Sequence, residues 1–185
     1  MMVETENTPN PNTLKFLPGK KVSEVGPIEF LKTDKDIKVS LAQKILSIDG
    51  IEMIFFGEDF ITVKKKKDLS WDNLKHGIIS EINDYYLQGN EVVVKKSLKK
   101  TSLDNKFSDT NEIVNKINEI LDSKIRPAVA RDGGDIKFKS FFDGVVTVEL
   151  KGSCSGCPSS IMTLKQGVQN LLCHYIPEVK SVEAK

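Results

Sequence analysis

Cys154 and Cys157 stand at CxxC spacing in the run Lys151-Gly-Ser-Cys-Ser-Gly-Cys-Pro-Ser-Ser160. Thiolates so spaced exchange with disulfides, hold a zinc ion, or ligate an iron–sulfur cluster. Zinc sites and clusters usually need four protein ligands. The chain has three cysteines in 185 residues, and the third, Cys173, lies sixteen residues beyond Cys157. One chain therefore offers two well-placed thiolates, which is half a site. Either the pair does redox chemistry alone, or two chains meet and contribute two thiolates each.

The residues around the pair favour a bound group. Gly152 and Gly156 let the backbone turn tightly without a Cβ in the way. Pro158 suits the first position of a helix, so the second cysteine falls at a helix N-terminus. Unsatisfied amides and the positive dipole end there stabilise a thiolate. A thioredoxin-like dithiol is the main rival, although its motif should follow an early strand of a larger, partly parallel sheet. A structural zinc shared by two chains is a third reading, and two uninvolved thiols in a loop a fourth.

The elements that must position this loop read as α-β-β-α-β. Asp109 and Glu112 are spaced as a capping box, and Ile113, Ile117, Ile120, Leu121 and Ile125 continue a helical stripe. Pro127 should kink or end that helix at Arg126. Asp132-Gly133-Gly134-Asp135 follows, where both aspartates suit capping and turn roles; Arg131 beside them is a candidate neighbour of the bound group. Two strands flank Asp143-Gly144. A three-residue loop, Phe142-Asp143-Gly144, is expected there, because it pairs Ile136 with Leu150 and Phe138 with Val148 on one buried face. A two-residue turn at Asp143-Gly144 would instead set Ile136 and Phe138 on the face opposite Val146, Val148 and Leu150. After the cysteine loop, Ile161, Leu164, Val168, Leu171 and Tyr175 form the stripe of a second helix, which Pro177 ends, and Val179 to Val182 is a last short strand. Cys173 falls well away from that stripe, so it should be at least partly exposed and take no part in the site.

The first half reads as mixed strand and helix. Thr13–Leu17, Ile28–Lys32, Ile51–Phe56 and Phe60–Lys64 are strand candidates, the last two a hairpin around Gly57-Glu58-Asp59. Ser40–Ile48 is a short helix, and a longer one should run from its cap at Ser70 through Trp71, Leu74, Ile78, Ile82 and Tyr85 to a stop at Gly89. His76 reads as a surface residue and the Lys64–Lys67 run as a solvated turn. Residues 96–109, rich in Lys, Ser and Asn, have linker composition, which divides the chain into domains at 1–95 and 110–185. The fold class is thus α+β, with two small two-layer domains.

Charge and hydropathy exclude several classes. The net charge is +1, and no segment has the positive excess of a nucleic-acid binder. No stretch approaches the roughly 18 apolar residues of a membrane helix, and the polar N-terminus shows no presequence. A cytoplasmic protein is expected, or a mitochondrial-matrix one if a presequence has been removed. Three cysteines, an odd count, make no disulfide framework.

Residues from about 112 to 184 resemble the C-terminal domain of NifU and of Nfu-type iron–sulfur cluster scaffold proteins. The matching stretches are Ile125-Arg-Pro127, Arg131-Asp-Gly-Gly-Asp-Ile136, Gly152-Ser-Cys-Ser-Gly-Cys-Pro-Ser-Ser160, Thr163-Leu-Lys165 and His174-Tyr-Ile-Pro-Glu-Val179. The first half is similar to the Nfu N-terminal domain in Thr8-Pro-Asn-Pro-Asn-Thr13, Leu17-Pro-Gly19, Leu41-Ala-Gln-Lys44, Asp49-Gly50 and Phe55-Phe-Gly57. One departure is Ser40-Leu41, where many relatives place a proline between the two. The resemblance implies a non-enzymatic scaffold or carrier. It would bind an iron–sulfur cluster, 4Fe–4S with 2Fe–2S as the alternative, through Cys154 and Cys157 of two chains. It implies a homodimer in the loaded state, and cluster donors and apo acceptor proteins as partners.

Overall fold

The computed structural model describes residues 3–95, 110–155 and 158–184. The proposed linker at 96–109, with Asp109 of the expected capping box, lies outside the described residues, as do Gly156 and Cys157. The chain divides into two compact units, Met1–Lys100 and Thr101–Lys185.

The first unit contains β1 (Glu4–Asn7), β2 (Thr13–Leu17), β3 (Ile28–Leu31), α1 (Ser40–Ser47), β4 (Ile51–Phe56), β5 (Ile61–Lys65) and α2 (Trp71–Leu87). The strands form one antiparallel sheet in the order β1-β2-β5-β4-β3. Hairpins pair β1 with β2 and β4 with β5, and longer connections pair β2 with β5 and β3 with β4. One face meets the helices through Phe16, Ile54, Phe56 and Val63 against Leu41, Ile45, Ile78 and Ile82. The Ser70 side chain accepts from the Asp72 amide and caps α2, a contact worth about 1 kcal/mol. Gly89, with a φ of +84°, then takes the left-handed turn where the helix stops, its amide donating to Tyr86 O at 3.2 Å. His76 is exposed, as its isolation implied. Two features differ from the sequence reading. β1 escapes the periodicity because its Glu-Thr-Glu-Asn is polar throughout, an edge strand held by pairing with β2 rather than by burial. Lys65 is buried rather than solvated, its ammonium 5.6 Å from the centre of the Trp71 ring and bonded to the Lys66 carbonyl.

The second unit contains α3 (Thr110–Ile120), a π-helical segment (Leu121–Ile125), α4 (Arg126–Arg131), β6 (Gly134–Phe142), β7 (Val145–Gly152), α5 (Pro158–Tyr175) and β8 (Ser181–Ala184). The sheet runs β6-β7-β8, with β6 antiparallel and β8 parallel to β7. Ile117, Leu121, Ile125 and Val129 of the helical run and Val168 and Leu172 of α5 share one core with Ile136, Val146, Val148 and Leu150. The order is α-β-β-α-β in two layers, the expected fold class.

Three details refine or correct the sequence reading. Of the two outcomes expected at Pro127, a kink or an end, the helix does not end. Pro127 lacks an amide and its ring would strike the carbonyl four residues back, and the π-helical turn widens the helix immediately before it. The Arg126 amide there bonds to Leu121 O, five residues back. The β6–β7 turn has two residues, not three. Phe142 pairs with Val145, and Asp143 and Gly144 have φ of 47° and 80°, the signature of a type I′ turn. The expected pairs Ile136–Leu150 and Phe138–Val148 nevertheless hold, because a bulge between Phe138 and Ser140 inserts Lys139. Finally, the lower half of the α5 stripe is Leu172, fully buried, not Tyr175, which is 49% exposed.

Candidate functional site

The site grows from the end of β7. Gly152, with a φ of 70°, turns the chain out of the strand into Ser153-Cys154-Ser155, and α5 begins at Pro158 as its ring geometry suggests. The turn is closed by its own backbone: the Ser155 amide and hydroxyl both donate to the Gly152 carbonyl, at 3.2 and 2.8 Å. A second tie joins it to the end of α4. The Ser153 amide donates to Gly133 O at 3.2 Å, and the Ser153 hydroxyl donates to Asp132 O. The loop between helix and strand and the loop between strand and helix are thus fastened side by side.

Cys154 is buried, 5% exposed, against the backbone of Gly134. A Cβ on Gly134 would lie 2.9 Å from Cys154 Sγ and 2.6 Å from Lys151 O. The glycine is required there by close approach. Cys173 is 16 positions beyond the last residue of the motif and half-buried on the flank of α5, so it stands apart from this loop. Among the described residues no three His, Cys, Asp or Glu side chains gather as a metal site.

The carboxylates nearby are structural. Asp132 caps α4 through its backbone, its amide bonded to Ala128 O. Asp135, expected in a turn, is instead the second residue of β6 and is buried, with Arg126 Nε 3.2 Å from its carboxylate. Burial raises its pKa, with Arg126 opposing the shift. Arg126 also donates to Ile136 O and pairs with Asp122 at 2.8 Å, so this arginine bolts the helical run to β6 just ahead of the site. Arg131, the last residue of α4, is exposed.

Sequence reasoning did not single out Ser153 or the Gly134 contact. The Gly133-Gly134 pair was their one signal, a place where backbone approaches closely, but which atom approaches depends on the tertiary fold.

Residues 117–183 match the NifU-like domain, and residues 3–89 match the N-terminal domain of the scaffold protein Nfu/NifU. The chain is 44% identical over 184 residues to the human NFU1 iron-sulfur cluster scaffold homolog, mitochondrial, spanning 99% of this chain and 71% of that protein. The chain belongs to the Nfu-type iron–sulfur cluster scaffold family. A second Nfu relative, NifU-like protein 4, mitochondrial, from Arabidopsis thaliana, is 44% identical over 188 residues, spanning 99% of this chain and 65% of that protein. Among solved structures, the NifU-like protein from Saccharomyces cerevisiae matches with 31% identity and a TM-score of 0.47, over 52% of this chain and 86% of that one. No helix among the described residues is long and apolar enough to cross a membrane.

Proposed function

We propose that this Nfu-type chain carries an iron–sulfur cluster as cargo, ligated by Cys154 and Cys157 of each of two chains, and passes it to apo-proteins without turning over a substrate. The donor count carries this reading: the β7–α5 junction offers two cysteines at CxxC spacing, and the third cysteine of the chain sits elsewhere on α5. A 4Fe–4S cubane has four irons, each needing one outer ligand, and two such junctions supply four thiolates. A cluster whose ligands are shared between two chains can exchange them one at a time for acceptor thiolates, which makes release by ligand exchange feasible. The domain at 1–95 would dock donors or acceptors, the cluster-binding domain being 110–185. Both named relatives are mitochondrial proteins; thiolate ligands require a reducing compartment, matrix or cytoplasm.

The disulfide-exchange alternative finds one local likeness, since β7, α5 and β8 form a parallel crossover with the motif at the strand-to-helix step. The sheet has three strands, however, and the family is one of scaffolds. Anaerobic loading with iron and sulfide, followed by mixing with an apo 4Fe–4S enzyme, separates the two. Mössbauer spectra of a 4Fe–4S cluster and recovery of the enzyme's activity support the carrier. A colourless protein that reduces insulin disulfides contradicts it.

A further inference from the structure

The neighbour of the proposed ligand holds the turn in place. Ser153 is 2% exposed, and its hydroxyl donates to Asp132 O at the end of α4. The same Oγ lies 3.8 Å from Cys154 Sγ, within reach of a sulfur hydrogen bond. A hydroxyl has one proton to give and two lone pairs to receive. In the thiol form, therefore, Cys154 S–H donates to Ser153 Oγ, which donates onward to Asp132 O. When iron takes the place of the thiol proton, which leaves to solvent, the sulfur becomes an acceptor only. The Ser153 proton then has two acceptors in reach, the Asp132 carbonyl and the ligating sulfur.

We propose that Ser153 is a positioning residue for the cluster: its amide, bonded to Gly133 O, pins Cys154 beside the end of α4, and in the loaded protein its hydroxyl turns its one proton to an O–H···S hydrogen bond with the ligating sulfur. This rests on the reading of Cys154 as a ligand. Partners behind a metal ligand orient it and tune the metal, and their loss typically weakens binding 10- to 100-fold. Hydrogen bonds to cluster sulfurs also raise the reduction potential, since they favour the more negative reduced state.

The test compares full-length wild type, Ser153→Ala and Ser153→Thr, each loaded anaerobically with iron and sulfide. Ser153→Ala should lose its cluster to a chelator roughly tenfold faster. It should also show a higher Fe–Sγ stretching frequency by resonance Raman and a more negative reduction potential. Ser153→Thr, which keeps the hydroxyl, should return the last two readouts to wild type. Wild type moved into deuterated buffer should shift its Fe–Sγ modes, and this holds even if Ser153→Ala fails to load. Faster loss with an unchanged frequency and potential would reduce Ser153 to a structural tie and overturn the proposal, as would an unshifted wild-type spectrum in deuterated buffer. A wild type that takes up no cluster would instead overturn the reading of Cys154 as a ligand.

Discussion

What separates Cys154 from Cys173 is surroundings, not chemistry. Cys154 sits in a turn tied to two backbones and followed by the first residue of a helix, whereas Cys173 flanks the core side of that helix near its other end. Replacing Cys173 with serine should leave cluster content unchanged, as measured by iron and sulfide per chain; loss of cluster there would mean that α5 does not separate the two. Replacing Cys154 or Cys157 with alanine should abolish stable binding, because one thiolate per chain leaves a dimer two ligands short. The residue types of this site were legible in the sequence, since spacing, glycines and proline all fall within seven positions. Its supports were not. Ser153 bonds to residues some twenty positions earlier, and Gly134 meets a side chain from another loop. No local pattern reports such contacts.

The β6–β7 hairpin shows how far periodicity reaches. Alternation correctly pairs Ile136 with Leu150, because one face of the sheet is buried, but two devices satisfy that pairing equally: a three-residue loop or a bulge. The chain uses the bulge, with Lys139 as the added residue and Asp143-Gly144 in the turn that its dipeptide favours. Deleting Lys139 should then leave a regular hairpin with Phe138 and Phe141 still facing the core. The protein should fold with a thermal midpoint within several degrees of wild type. Deleting Lys137 instead would bring Lys139 opposite Val148 on the buried face, and that protein should unfold at far lower temperature or not fold. Equal midpoints for the two deletions would refute the register. Lys139 has an electrostatic role too. Its ammonium lies 2.9 Å from the Glu149 carboxylate, and this hydrogen bond holds the Glu149 pKa below its usual 4.5, with Lys151 assisting. The folded state therefore favours the charged carboxylate. That contribution is complete above the unfolded pKa and is lost as pH falls through the lowered folded value. Compared with Glu149→Gln, wild type should lose its small advantage on going from pH 6 to pH 3 in urea unfolding. The pair is partly exposed, so the difference should stay under about 1 kcal/mol. A difference independent of pH would show that the carboxylate charge contributes nothing. The same limit on sequence reading applies to Pro127, which announces a break but not its form. A wide helical turn absorbs it and keeps Ile117, Leu121, Ile125 and Val129 on one buried line.

Across the whole molecule, both layer architectures were legible because each depends on amphipathic stripes that the sequence displays. The parallel placement of β8 was not, since four short residues after a helix carry no sign of which neighbour they join. The two units invite a division of labour. A chain lacking residues 1–95 should load as much cluster as the full chain yet transfer it more slowly to some acceptors. Unchanged transfer to every acceptor would count against a docking role for the first domain. The central claim is that each chain holds half a site, and native mass spectrometry of the anaerobically loaded protein tests it directly. The expected species is two chains with four irons and four sulfides, which a chelator converts to the monomer. A single chain carrying a complete, stable 4Fe–4S cluster on its own thiolates would contradict it.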